Sequence, residues 1–105
     1  MLRVYDVMIE VLRKLRPVLV QIEKHDRDLG SQLRRAAASV ALNMAEGSGS
    51  SGGTRTARYR TALGSVVETG ACLDVAMAMG YVGRVDGEIA AQLRHVKAVL
   101  MRVVA

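Results

Sequence analysis

The 105-residue sequence has no tryptophan and no phenylalanine, and Tyr5, Tyr59 and Tyr81 are its three tyrosines. So few aromatic rings leave little to stack bases on, and they argue against strands, which favour aromatic side chains. One cysteine, Cys72, excludes an internal disulfide and leaves no partner thiol for a metal knuckle. That usage fits a reducing cytosol, and Cys72 reads as a small buried hydrophobe. Two histidines, His25 and His95, have Ile22 and Gln92 three positions before them, so neither forms the Glu-x-x-His pair of a dimetal bundle. Nothing marks a catalytic nucleophile either. The expectation is a chain that is not an enzyme and needs no metal and no cofactor.

Half of the residues are hydrophobic, and Leu, Val, Ala and Met must fill the core, a composition that favours helices. Tyr5, Met8, Leu12, Leu15, Leu19 and Ile22 recur three and four apart, which predicts a helix over about 3–23. Pro17 lies inside it and is expected to bend or break it. Asp26 or Asp28 can cap a second helix, about 29–46, with Leu29, Leu33, Ala36, Val40 and Asn43 on its seam. A third helix is expected over about 54–79 with Tyr59, Ala62, Val66, Thr69, Leu73 and Ala76 inward. Gly80 should end it in the left-handed conformation. Asp86 opens a fourth, about 86–104, on Ile89, Leu93, Val96, Leu100 and Val103. Short connections make neighbours antiparallel, so the fold class is an all-α, up-down-up-down four-helix bundle, a single domain over 1–105.

Gly47 to Gly53 is a Gly/Ser loop, flexible by composition, that spells G-x-G-x-x-G. Dinucleotide binding needs that motif after a strand, and here a helix precedes it, while the lack of Gly-Lys-Ser/Thr excludes a P-loop. Loop amides at the start of helix 3 could still receive an RNA phosphate. Helix 3 is apolar nearly all round, because Leu63, Val67, Ala71, Met77 and Met79 extend its hydrophobic surface beyond one face. Glu68, Asp74 and several glycines argue for a buried helix and against a membrane span. Apolar surface on more than one side of a bundle helix calls for cover from another subunit. Arg3 and Asp6, with no small-residue cleavage site, argue against a signal peptide, and the expected location is the cytoplasm.

The formal charge of +5 is uneven: residues 1–60 hold eleven Lys/Arg against six acids, and the rest is balanced. A basic half attracts polyanions. Arg34, Arg35, Arg55, Arg58 and Arg60 are the candidate nucleic-acid contacts around the helix 2–helix 3 hairpin. A polar stripe of Ser39, Asn43 and Glu46 on helix 2, with Ser65 and Glu68 on helix 3, forms a candidate structural network. Folding the hairpin about Ser50 or Ser51 should bring Glu68 level with Arg34 and Arg35, and Glu46 level with Arg55 and Arg58. The competing reading makes those arginines intramolecular ion-pair partners.

Gln32-Leu33-Arg34-Arg35-Ala36-Ala37, Ser39-Val40, Asn43-Met44-Ala45-Glu46-Gly47, Ala62-Leu63-Gly64-Ser65 with Glu68, and Gly80-Tyr81 span almost the whole chain. In these motifs the sequence resembles the bacterial four-helix bundle family that includes proteins encoded by intervening sequences of 23S ribosomal RNA genes. The resemblance implies an up-down bundle, assembled as a homopentamer, without enzymatic activity. A related member, the accessory variability protein of diversity-generating retroelements, is a basic pentamer that binds nucleic acid and a reverse transcriptase. By this resemblance Arg34 and Arg35 are candidates for nucleic-acid contact, and Asn43, Glu46, Ser65 and Glu68 fall on the family signature. The loop after Gly47 departs from the family pattern, which is richer in Lys and Arg. The expected function is a homo-oligomeric scaffold that binds RNA electrostatically. The alternative is a protein-interaction adaptor that uses the apolar helix 3 surface and binds no nucleic acid.

Overall fold

A computed structural model describes residues 2–105. Four helices follow one another: α1 (Leu2–Glu23), α2 (Arg27–Ser48), α3 (Gly52–Ala78) and α4 (Gly87–Val104). α1 packs on α2 and α4, and α3 packs on α2 and α4, which is the neighbour pattern of an up-down-up-down bundle. The molecule is 42 Å long, close to the roughly 40 Å that the longest helix, α3, spans at about 1.5 Å per residue.

Each helix end has a local cause. The Asp26 carboxylate accepts from the Leu29 amide at 2.9 Å and starts α2, and Asp86 does the same for Glu88 at the start of α4. Gly80, at φ +73, ends α3 as its left-handed terminator, and the Tyr81 amide donates back to the Ala76 carbonyl at 2.9 Å. Pro17, expected to bend or break α1, does not break it: the helix runs unbroken from Leu2 to Glu23. Pro17 is exposed, so the Arg13 carbonyl that lost its amide partner faces the solvent side, where water can serve it.

The core is aliphatic. The inward face of α3 is Tyr59, Ala62, Val66, Thr69, Leu73 and Ala76, all buried. α4 contributes Ile89, Leu93, Val96 and Leu100, while Val103, expected on that seam, is 40% exposed in the last turn. On α1 the expected Met8, Leu15, Leu19 and Ile22 are buried, but two positions differ. Val4 and Val11 are buried in place of Tyr5 and Leu12, which pack half-buried at the edge. Two apolar tracks run side by side on α1, and the spacing rule alone does not choose between them. Thr69 is fully buried, and its hydroxyl donates to the Ser65 carbonyl one turn earlier at 2.8 Å.

α3 is long and apolar enough by length and composition to cross a membrane. Seven of its residues, Cys72 among them, are buried in the bundle, and Glu68 and Asp74 lie on its exposed sides.

Candidate nucleic-acid interface and assembly face

The polar stripe settles onto the α2–α3 contact. Ser39 Oγ and Ser65 Oγ share a hydrogen bond of 2.7 Å across the helices. Asn43 Nδ2 donates to the Ser39 carbonyl at 2.9 Å and to Ser39 Oγ at 3.1 Å. Asn43, expected on the buried seam, is therefore half-buried on the flank and satisfied within its own helix, while Met44 takes the fully buried place beside it. Glu46 pairs with Arg58 at 2.8 Å, and Gln32 donates to Glu68 at 3.3 Å. These are three separate cross-links along the hairpin, not one continuous network. They are centred between residues 50 and 52, at or just beyond the Ser50 or Ser51 expected as the fold point.

The five candidate arginines separate into two groups. Arg34 and Arg35 lie about 15 residues before the hairpin turn, or roughly 22 Å along the helix from it. Arg55, Arg58 and Arg60 lie in the first turns of α3. Arg34 pairs with Glu23 of α1 at 2.9 Å, and not with Glu68 as the register suggested. One residue turns a helix by about 100°, so level with Glu68 is not facing it: Gln32 faces α3, whereas Arg34 faces α1. Arg55 Nε donates to the Gly47 carbonyl at 3.2 Å and to the Ser50 carbonyl at 2.8 Å. The Gly/Ser segment is thus much shorter as a loop than its composition suggested. Only residues 49–51 lie between α2 and α3, and they are tied down by Arg55 and by Ser50 Oγ on the Glu46 carbonyl. Arg35 and Arg60 are exposed and form no ion pair among the described residues.

Tyr59 is a core residue and offers no platform for a base. Its ring lies against Gly47 and is 4% exposed, and its hydroxyl is 3.4 Å from Ser48 Oγ.

A second surface is apolar. Val67, Val75 and Met77 of α3, Met79 just past its end and Met101 of α4 are exposed, Met79 to 60%. Between α3 and α4 runs an open groove of about 440 Å³, floored by Val66, Leu73 and Leu93. Its rim carries Asp74 on α3 and Arg94 and Lys97 on α4. The sequence showed the surplus of apolar residues on α3. The rim charges were missed, because pairing them needs the α3–α4 register.

Also missed was a clasp between the first and last helices. Lys14 lies 2.5 Å from Glu88, 3.1 Å from Gln92 and 3.2 Å from Glu10. The Glu88 carboxylate, and after it Glu10, hold the Lys14 ammonium above its ordinary pKa, against an opposing desolvation. Burial pushes the Cys72 thiol up, and the charge of Glu68 adds to the rise. Among the described residues no group of three His, Cys, Asp or Glu side chains comes together as a metal site.

The sequence model of the 23S rRNA-intervening sequence protein family matches residues 1–102. The chain belongs to that family. Among solved structures, the chain is similar to a protein with unknown function from the S23 ribosomal protein family of Bacteroides thetaiotaomicron. The two share 15% identity over 96% of this chain and 97% of the other, with a TM-score of 0.82. At that identity the likeness shows the fold alone. No curated protein matches the chain.

Proposed function

We propose that the chain is a non-enzymatic, homo-oligomeric scaffold of the cytoplasm, pentameric by its family resemblance, that binds RNA through charge and not through base reading. The observation that carries the assembly half is the exposed apolar face of α3 and α4. Val67 and Met77 line the open groove between α3 and α4, and Val75, Met79 and Met101 are exposed on or next to the same two helices, apolar surface of the kind that favours cover by another chain. The RNA half is supported by the charge of +5 and by three of the five candidate arginines, Arg35, Arg55 and Arg60, that pair with no carboxylate among the described residues. Phosphate contacts need only guanidinium groups on an accessible surface, and the scarcity of exposed rings leaves nothing to read sequence with.

Sedimentation velocity over a range of protein concentrations tests the assembly. Filter retention of RNA as salt is raised tests the binding. The reading expects a single assembled species and an affinity that falls linearly on a log–log salt plot. A monomer at every concentration ends the scaffold reading. An assembled protein with no RNA affinity at low salt leaves the adaptor alternative, in which the apolar face receives another protein.

A further inference from the structure

The α3 wall of the α3–α4 groove runs from Val66 to Met77, roughly 16 Å or three helical turns at about 1.5 Å per residue. Its base is apolar, and Gly70, Ala71 and Ala90 add little side chain to it. Gly70 has no explanation inside the protomer. A glycine in a helix interior weakens the helix relative to alanine. At Gly30 and Gly47 an added Cβ would run into Glu23 or Tyr59, whereas at Gly70 it would meet nothing within 4 Å. A glycine at the base of an apolar groove lets another backbone come close.

The rim selects the occupant. Arg94 and Lys97 are exposed, stand three residues apart on the α4 wall and so share one flank, and neither forms an ion pair among the described residues. Asp74, exposed on the α3 wall, is equally unpaired. A second copy has little to lay along these cations. Every acid of this chain except Asp6, Asp28 and Asp74 is held in an ion pair, a helix cap or a side-chain hydrogen bond. Those three lie singly on α1, α2 and α3, so no helix of the chain presents an acidic flank, and each copy carries +5. A nucleic acid has phosphates for Arg94 and Lys97, but it has no apolar ridge for the base of the groove and it meets Asp74.

We infer that the α3–α4 groove is a docking site for an amphipathic helix of a different protein, one whose apolar ridge fills the groove and whose flank over α4 carries carboxylates that meet Arg94 and Lys97. Such a helix lies against α3 and α4 as a third rod, anchored by apolar residues three and four apart. The inference goes beyond the scaffold reading and does not depend on it. The groove goes to the partner, and the outer side of α3, where Gly64, Val75 and Ala78 are exposed, is left for contact between copies.

Fluorescence anisotropy on the whole chain tests it with two labelled peptides of about 18 residues that share a leucine ridge at helical spacing. One peptide carries glutamate on its flanks and the other lysine. The wild type is expected to bind the glutamate peptide at least about tenfold more tightly, and the double variant Arg94→Glu, Lys97→Glu to invert that preference. Lys24→Glu with Arg27→Glu makes the same charge reversal at exposed positions by the α1–α2 turn, and the preference should survive it. Gly70→Leu puts a side chain into the open groove, so circular dichroism should show a fold as stable as the wild type while the glutamate peptide binds at least about tenfold more weakly. The inference is overturned if the wild type binds neither peptide or both alike, if the Arg94 and Lys97 reversal keeps the preference, if the Lys24 and Arg27 reversal removes it as fully, or if Gly70→Leu binds as tightly as the wild type. It is also overturned if saturating glutamate peptide splits an assembled protein into monomers, because the groove then belongs to the contact between copies. A wild type that sediments as a monomer and still shows the preference supports the docking inference and removes only the scaffold reading.

Discussion

Replacing Gly47 by alanine should destabilise the protein, although the same change in an open helical position stabilises. A Cβ added at Gly47 would overlap the Tyr59 ring, with Cδ1 only 2.6 Å away and Cε1 closer still. The ring cannot swing clear, because it is buried between α2 and α3 and its hydroxyl rests near Ser48. Alanine gains up to about 0.8–1 kcal/mol over glycine in a helix interior, and less here, one residue from the end of α2. Overpacking a filled core costs about 1–3 kcal/mol. The net expectation is a loss of roughly 1–2 kcal/mol, with a fall in Tm of about 4–8 °C per kcal/mol for a domain of this size. Urea unfolding followed by circular dichroism, at one fixed protein concentration, measures it. Gly30 provides the contrast: its added Cβ would meet Glu23 Cγ at 2.5 Å, but Glu23 is a flexible side chain at the surface. Gly30→Ala should therefore come out near neutral, the helix gain offsetting a weakened surface pair with Arg34. In a Tyr59→Leu background, Gly47→Ala should cease to destabilise, giving a coupling of about 1–2 kcal/mol. If Gly47→Ala is as stable as wild type, or if its effect ignores residue 59, the close-approach argument is wrong.

Three further expectations follow from single contacts. Ser65→Ala should cost about 0.5–1.5 kcal/mol, since it removes the Ser39 bond across the hairpin and leaves Ser39 still bonded to Asn43; an equilibrium unfolding curve checks this. The Cys72 thiol should react with a soluble alkylating agent at neutral pH far more slowly in the folded protein than in urea, because burial raises its pKa and shields it; equal rates would refute this. Lys14 has a folded pKa above its unfolded value, so its stabilising pairs persist through neutral pH and weaken as the pH rises through that raised value. The stability gap between wild type and Lys14→Met should accordingly narrow in strongly alkaline buffer, and a gap that widens there would contradict the assignment.

The helical pattern was legible wherever one apolar track dominates. On α3 every residue of the expected track, from Tyr59 through Val66 and Leu73 to Ala76, is buried, although other apolar residues surround the helix. On α1 the valines at 4 and 11 compete with Tyr5 and Leu12, and the choice is made by α2 and α4 closing on either side, which is tertiary information. Charge pairing was legible only along one hairpin. Glu46 with Arg58 follows from register, because both sit near the turn where register is fixed by a short link. Arg34 with Glu23, and Lys14 with Glu88, join helices whose relative rotation no local spacing encodes. The five candidate arginines rest on charge near the hairpin and, for Arg34 and Arg35, on the family resemblance, and neither reports direction. Direction is what separates Arg34, held against α1, from Arg60, heading the exposed face of α3.

The Lys14 clasp bears on the order in which the chain acquires its structure. The other three helix contacts join sequential neighbours across short turns, whereas Lys14 and Glu88 are separated by 74 residues. Closing so long a stretch costs more chain entropy than folding a hairpin, so the local hairpins condense first and α1 meets α4 last. Contacts made after the rate-limiting barrier govern escape from the native basin more than arrival in it. A Lys14→Met chevron plot should therefore show its change on the unfolding limb, with the refolding limb nearly superimposed on that of the wild type.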